Sequence, residues 1–574
     1  MLVLKDVAAF TIHDSLATQI FPNDIFLLGL CILLTLAWWR NNCDAFLLLC
    51  FGGSMASQKF QAVSRIFSIL CLCLLSIVIA SPARAATIDE QINQTVQPYT
   101  DMLSAFIFYS VPIGGADVPL IVCWLIFGAI FFTTYLGFIN LRGFKHAINL
   151  VRGKYADPEH EGEISHFQAL TAAVSGTVGI GNIGGVAITV SLGGPGAIFW
   201  LIVAGLIGMT TKFVECTLGV KYRQINDDGT VSGGPMYYLR EGLSRRGMPK
   251  FGKFLGSFYA LSIVIGCLGI GNMFQSNQAY AQILAVSGGE ESMLLGYGWL
   301  VGLVMAVVVA LIIIGGIQSI ARVTSKLVPF MVAIYILGAL VVLGMNIAVI
   351  PDAIVAIVAG AFSMEGVTGG AIGIMILGFQ RAAFSNEAGI GSAAIAHSAV
   401  QTKDPMTEGF VALLEPFIDT VVICTLTGLV LVTTFPPETL MGGGLVGIEM
   451  TSAAFNSNIA GSSLPLSFVA LMFAFSTMLA WAYYGTKGWT YLVGESSTRR
   501  HMFSLIFCIF IVIGASIQLS AILDFADALI FVMAIPNLLG LYIMAPEVKR
   551  DLDEYWAKRA ARKQVEAAAI ERPA

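Results

Sequence analysis

The sequence predicts an all-α polytopic membrane protein: an inverted five-plus-five repeat of helices with one extra N-terminal membrane helix in front. Three observations carry this. The chain is 57% hydrophobic and only 12% charged, against about 25% charged residues in ordinary soluble domains. From residue 117 onward, apolar stretches follow one another, each long enough to cross a hydrocarbon core about 30 Å thick. Two of them, five helices apart, are interrupted by clusters of glycine. Paired interruptions at matching places in two halves mark an internal repeat, and because five is odd the second half inserts in the opposite sense.

The segment before residue 86 has a different character. Met55 to Arg65 is basic, Ile66 to Ala80 is an uninterrupted apolar run, and Ser81-Pro-Ala-Arg-Ala85 ends in A-x-A. That is the layout of a secretory signal peptide cut after Ala85. Since such a peptide begins at a start methionine, residues 1–54 are expected to be a non-native N-terminal extension and residues 55–85 the signal. Residues 86–116 are expected as a periplasmic segment with a short amphipathic helix, 117–546 as the transporter membrane domain, and 547–574 as a cytoplasmic tail.

The eleven membrane helices of the mature chain are predicted at about 117–138, 166–190, 197–221, 254–285, 297–315, 327–349, 353–380, 406–434, 464–485, 502–520 and 522–545. Basic residues fall on alternate loops only. Residues 221–253 hold seven and the tail after Pro546 another seven, while 286–296, 350–352 and 435–463 hold none. By the positive-inside rule the N-terminus is periplasmic and the C-terminus cytoplasmic, as a signal peptide would also deliver it.

The first interruption is Ser175-Gly-Thr-Val-Gly-Ile-Gly-Asn-Ile-Gly-Gly185. Each interior glycine costs a helix about 0.5–1 kcal/mol relative to alanine, so the helix is expected to break here. Broken backbone inside a membrane persists only where protein or a water-filled cavity satisfies it. In secondary transporters such breaks hold substrate and ion at the midplane. Gly179-Ile-Gly-Asn-Ile-Gly184 also matches the dinucleotide fingerprint GxGxxG. The flanks are apolar helix, however, and no acid lies between Glu163 and Glu215, so the match is accidental. The second interruption runs from Gly360 to Gly370 and contains Ser363, Glu365, Gly366 and Thr368.

Other classes find no support. Ten cysteines are scattered without CxxC spacing and six histidines form no cluster, so neither a disulfide framework nor a zinc site is indicated. A Walker motif for an ATP-driven pump and HExxH for an intramembrane enzyme are both missing from the sequence. A channel would use rings of identical residues from an oligomer. The expected protein is a carrier, not an enzyme.

Several long motifs are similar to those of the alanine or glycine:cation symporter family of bacterial amino-acid carriers. They include Gly162-Glu-Ile-Ser-His-Phe-Gln-Ala169, Gly176-Thr-Val-Gly-Ile-Gly-Asn-Ile183, Gly193-Gly-Pro-Gly-Ala-Ile-Phe-Trp200 and Gly233-Gly-Pro-Met-Tyr-Tyr238. Gly269-Ile-Gly-Asn-Met273, Phe384-Ser-Asn-Glu-Ala-Gly-Ile-Gly-Ser392, Tyr483-Tyr-Gly485 and Ala534-Ile-Pro-Asn-Leu538 extend the resemblance over roughly 120–546. It implies a leucine-transporter-type fold and import of a small neutral amino acid, such as alanine or glycine, by symport with sodium across the bacterial inner membrane. It implies no nucleic acid and no obligate protein partner; the expected partners are the amino acid and membrane lipid. The chain departs from the family at Ile180-Gly-Asn182, Leu201-Ile202, Thr486 and Glu365, which bears on the substrate more than on the fold.

On this reading the amides of Gly179, Ile180 and Gly181, at the start of a half-helix, suit the substrate carboxylate. Thr177, Gln275, Ser363, Glu365 and Gly366 complete the expected substrate site. Gln275 is alternatively a hydrogen bond between helices. Sodium, a hard cation, wants oxygen ligands, by analogy with divalent ions. The resemblance implies the carbonyls of Ser175 and Val178 with the hydroxyls of Ser476 and Thr477, which otherwise bond back to their own helix. Glu365 is open to several roles: binding the substrate amine, a cation or a proton, or standing as a neutral structural acid. If it carries a proton, the protein is a proton-coupled carrier or exchanger. Lys212 and Glu215 are expected as an i,i+3 pair, Glu415 and Asp419 as acids paired with basic residues, and Asn386-Glu387 as a gate latch near Arg381 or a helix cap.

Overall fold

The computed structural model describes residue 98 and residues 101–154, 161–363, 370–442, 444–517 and 519–570, all within the compact unit Pro82–Ala574. The proposed signal peptide, the extension before it, Glu365 and Gly366 lie outside the described residues. A two-stranded antiparallel hairpin, β1 (Ser110–Ile113) and β2 (Ala116–Pro119), leads into the first helix. The sequence reading had not foreseen it.

A second short antiparallel pair, β3 (Gln224–Ile225) and β4 (Val231–Ser232), lies in the loop before residue 235, and the longer elements are otherwise helices. In chain order come α1 (Leu120–Tyr135), α2 (His166–Thr177), α3 (Gly184–Gly193), α4 (Gly196–Lys221), α5 (Pro249–Leu268) and α6 (Phe274–Val286). Next are α7 (Gly298–Ile313), α8 (Gly316–Met345), α9 (Ile350–Ala361), α10 (Gly370–Asn386), the short α11 (Ala393–His397), α12 (Pro405–Ala412) and α13 (Thr425–Thr434). The last are α14 (Ser463–Val493), α15 (Ser497–Gly514) and α16 (Leu519–Ile570). Helix occupies part of each of the eleven predicted stretches, but among the described residues only seven helices, or eight if a bent pair is one span, are long and apolar enough to cross a membrane by length and composition.

That bent pair is the first predicted break. Helix α2 opens on a capping box in which Ser165 and Gln168 exchange side-chain and backbone hydrogen bonds. It ends at Val178, whose ψ of 88° leaves the helical region. A single 3₁₀ turn, Ile180–Asn182, intervenes before α3, and the two halves are bent by 61°. The predicted helix 353–380 is likewise divided between α9 and α10. Two further irregularities were not predicted: π-helical turns at Gly269–Met273, between α5 and α6, and at Phe417–Cys424, between α12 and α13.

The core is where these irregular segments meet the long helix α14. Trp481 of α14 is fully buried and donates Nε1 to the Gly176 carbonyl at 3.2 Å. Its ring presses on Gly271 so closely that a β-carbon there would lie 1.9 Å from Trp481 Cγ, and only glycine fits. By contrast α7 and α8 show outward rows of apolar side chains, among them Val304, Val308, Phe330, Leu337 and Leu340, as lipid-facing helices do.

Helix α16 continues well beyond the expected end near residue 545, through Pro536 and Pro546 to Ile570. Side-chain anchors hold the extension. Glu547 pairs with Lys221 at 2.5 Å and with Arg246, and accepts from the Tyr222 hydroxyl at 2.9 Å.

Candidate functional site

The break exposes backbone on both of its sides, and most of it is already spoken for. Asn182, closing the 3₁₀ turn, folds its side chain back so that Oδ1 accepts the Gly179 amide at 2.9 Å. The Ile180 amide donates to Gln275 Oε1 at 3.2 Å, and Gln275 in turn donates Nε2 to the Ile270 carbonyl at 3.2 Å. Gln275 is placed there by the π turn that precedes α6. Of the three amides expected to receive a carboxylate, two therefore have protein acceptors, and that of Gly181 has none among the described residues.

The carbonyls on the other side are open. Among the described residues no amide donates to the carbonyls of Ser175, Thr177 or Val178; the Gly176 carbonyl has Trp481. The side chains of Ser175 and Thr177 turn back onto α2, bonding the carbonyls of Ala172 at 2.7 Å and Val174 at 3.3 Å. Helix α14 brings Thr477 up to the break: a β-carbon on Gly179 would lie 2.5 Å from Thr477 Oγ1 and 3.0 Å from Gln275 Oε1. Thr477 and its neighbour Ser476 are buried, and both donate to the Phe473 carbonyl, at 3.0 and 2.9 Å. Each oxygen keeps lone pairs in that arrangement. Ser476 also lies against Met331 Sδ at 3.6 Å. Ser363 follows α9, its amide bonded to the Gly360 carbonyl at 3.3 Å.

A buried carboxylate adjoins the break, without the basic partner that the sequence suggests for it. Asp419, on the π turn Phe417–Cys424, accepts from Asn182 Nδ2 at 2.5 Å, from Ser385 Oγ at 2.8 Å and from Thr420 Oγ1 at 2.7 Å. Thr427 donates to the Asn182 carbonyl at 2.8 Å. Asp419 is fully buried, and its partners are hydroxyls and an amide with no basic side chain in ion-pair contact among the described residues. Its one legible signal was an acid within a membrane helix.

The other acids form a second buried network. Lys212 does not pair with Glu215, as the i,i+3 spacing had suggested. It reaches Glu415 at 3.0 Å, both side chains fully buried, while Glu215 accepts from Asn537 Nδ2 at 2.7 Å. Spacing along α4 was overruled by a better-placed carboxylate on a neighbouring helix. Glu408 is clasped by two imidazoles, His166 at the start of α2 and His397 Nδ1 of α11, the latter at 2.5 Å. The expected latch of Glu387 to Arg381 does not form either. Ser392 donates to Glu387, and Arg381 pairs with the buried Asp527 of α16.

Comparison with known proteins can now be set beside this geometry. Residues 111–569 match the profile described as the sodium:alanine symporter family. The chain belongs to that family. Among curated relatives, the sodium/alanine symporter AgcS of Methanococcus maripaludis is 40% identical over 432 residues, 74% of this chain and 92% of that protein. The amino-acid carrier protein AlsT of Bacillus subtilis is 34% identical, over 75% of this chain and 88% of its own length. A probable sodium/glutamine symporter of Bacillus subtilis, GlnT, is 33% identical over 77% and 89%. Among solved structures, that of MhsT in complex with L-phenylalanine aligns with a TM-score of 0.50 at 15% identity, over 67% of this chain and 89% of that one. This likeness shows the fold, which is of the leucine-transporter type. Family and fold together make the chain a multi-pass membrane transporter of the symporter class.

Proposed function

We propose that the protein imports a small neutral amino acid, alanine, glycine or one of similar size, by symport with sodium, alternating access between the two faces of the bacterial inner membrane. One observation carries the reading. The α2 break carries the unbonded carbonyls of Ser175 and Val178 and the unbonded amide of Gly181, with Gln275 and the Thr477 hydroxyl brought up beside Gly179. Oxygens suit a hard cation, and an amide at the start of a half-helix suits a carboxylate. Sodium is assigned to Ser175, Val178, Ser476 and Thr477. The substrate is assigned to Thr177, Gly179, Ile180, Gly181, Gln275 and Ser363, and, from the sequence alone, to Glu365 and Gly366 of the second interruption. The bulk of Ile180, fully buried, favours a small side chain. The names of AgcS and GlnT support sodium and an amino acid, and they differ in which one. The distribution of basic residues over the loops supports a periplasmic N-terminus and a cytoplasmic C-terminus.

A second coupling reading rests on Asp419. A fully buried carboxylate without a basic partner is costly unless a proton or a cation neutralises it, so a proton-coupled mode would run through Asp419 as well as Glu365. Uptake of labelled amino acids into proteoliposomes decides between them. Accumulation of alanine or glycine driven by an imposed sodium gradient is expected. Accumulation that follows a proton gradient and ignores sodium would replace the sodium reading, and no uptake of any small neutral amino acid would end it.

A further inference from the structure

On the side of the basic loops lies a cavity of about 300 Å³, away from the α2 break. It is bounded by the C-terminal part of α14, the first turns of α15, the α7–α8 connection and Glu163 ahead of α2. Its chemistry is unbalanced. Lys487 of α14 lines it and is only 8% exposed. Its ammonium has neither an ion pair nor a hydrogen-bond acceptor among the described residues; the Tyr483 ring is 5.7 Å away, and the carboxylates of Glu495, Glu163 and Asp228 act on it only at longer range. The Tyr483 hydroxyl, lining the same cavity, is buried with no hydrogen-bond partner. A buried unpartnered ammonium and hydroxyl each cost free energy unless something fills the space between them.

Helix α15 adds to the imbalance. Ser497, Arg500, His501 and Ser504 recur at i, i+3, i+4 and i+7, so one polar face of its first two turns lines the cavity. Arg500 is held by Glu495 only loosely, at 3.9 Å. Among the lining residues the single acid is Glu163, and one of its oxygens is committed to the Val231 amide at 2.7 Å.

We propose that this cavity binds an anionic phosphate group, free or as a lipid headgroup, with Lys487, Arg500 and the Tyr483 hydroxyl as ligands. The volume exceeds what a halide fills. Donors that converge from two helices and several directions suit a tetrahedral oxyanion better than a planar carboxylate, which prefers a side-by-side pair. A ligand here would tie α14, the helix that also carries Ser476 and Thr477, to α15, and so bias the transport cycle without entering the substrate site.

Thermal unfolding of the purified full chain tests this. Inorganic phosphate, compared with chloride at equal ionic strength, reads the free anion. Nanodiscs of phosphatidylglycerol, compared with net-neutral phosphatidylcholine, read the headgroup. A saturable rise in Tm in either arm is expected, and which arm responds names the source. Lys487→Met should raise the ligand-free Tm, because an unpaired cation is removed, and should abolish the response. Arg500→Gln should weaken it by about tenfold or more. Should Lys487→Met fail to fold, Tyr483→Phe and Arg500→Gln carry the reading, and both are expected to weaken the response. No response in either arm, a response retained in all the variants, or competition between phosphate and the transported amino acid would overturn the proposal.

Discussion

Asn182 Nδ2 lies 2.5 Å from Asp419 Oδ1. The same side chain accepts the Gly179 amide through Oδ1, so one asparagine connects the broken backbone after α2 to a buried acid on the π turn between α12 and α13. It satisfies a donor and an acceptor that water does not reach.

Removing that link should cost more than one hydrogen bond. Asn182→Ala leaves the Gly179 amide and one Asp419 oxygen without partners, a loss of about 1–3 kcal/mol for each group stranded. Asn182→Asp sets two carboxylates side by side, which cannot both stay ionised. Asn182→Asp is therefore expected to melt lower at pH 8 than at pH 5 by a wider margin than wild type does. Thermal unfolding at the two pH values checks this, and a pH response equal to that of wild type would mean that the two side chains are not in contact.

The two glycines of the break should differ sharply. A β-carbon on Gly179 meets Thr477 Oγ1 at 2.5 Å and Gln275 Oε1 at 3.0 Å, while one on Gly181 meets nothing nearer than Phe384 Cε1 at 3.8 Å. Gly179→Ala is expected to abolish binding of a labelled amino acid in a protein that still inserts. Gly181→Ala should bind within a few-fold of wild type, because an ordinary van der Waals contact costs little, whereas Gly181→Leu should block uptake by filling the approach to its free amide. Wild-type affinity in Gly179→Ala would reduce the break to a packing feature.

The breaks were legible because glycine density acts locally: a helix that loses its propensity over eleven residues must open there, whatever surrounds it. The order of the helices was legible for the same reason. What the sequence hid depends on distant partners. Asn182 and Asp419 are 237 residues apart, and the π turn at Phe417–Cys424 alters the angular spacing on which any reading of helix faces relies. Lys212 had Glu215 within helical reach and took Glu415 instead, a choice set by packing between helices. The continuation of α16 past Pro546 depends on Lys221, Tyr222 and Arg246, none of which adjoins it in the chain.

His397 offers a test in which pH is the variable. It is buried outside the spanning helices, between the carboxylates of Glu408 at 2.5 Å and Glu415 at 3.6 Å. Burial alone would lower its pKa, but the two carboxylates outweigh burial and push it up to about 9. A histidine whose pKa is raised on folding contributes stability that is full below its unfolded pKa, near 6.5, and is lost as pH rises through the folded value. Melting temperature should therefore fall between about pH 6.5 and 9. His397→Gln should be less stable at pH 6 and show a flatter profile across that window. A wild-type slope retained in the variant would assign the titration to another group.

The sodium site makes the strictest demand, since it joins two helices through groups that are each accounted for without an ion. Ser476 and Thr477 both donate to the Phe473 carbonyl, which is all that hydroxyls in membrane helices often do. If that were their whole role, alanine at both positions would cost stability alone. The unbonded carbonyls of Ser175 and Val178 argue for more, because broken backbone in a dry interior needs a partner and Thr477 Oγ1 stands beside Gly179. A cation held between the carbonyls and the hydroxyls would fix α2 against α14 and raise substrate affinity. By linkage the substrate then raises ion affinity by the same factor, commonly about 5–150-fold. Ser476→Ala/Thr477→Ala should accordingly shift the sodium dependence of substrate binding to higher concentration while leaving affinity at saturating sodium close to wild type. Substrate binding titrated against sodium in both proteins measures it. An unchanged sodium curve removes these hydroxyls from the site, and a curve that answers to pH and not to sodium transfers the coupling to Asp419 and Glu365.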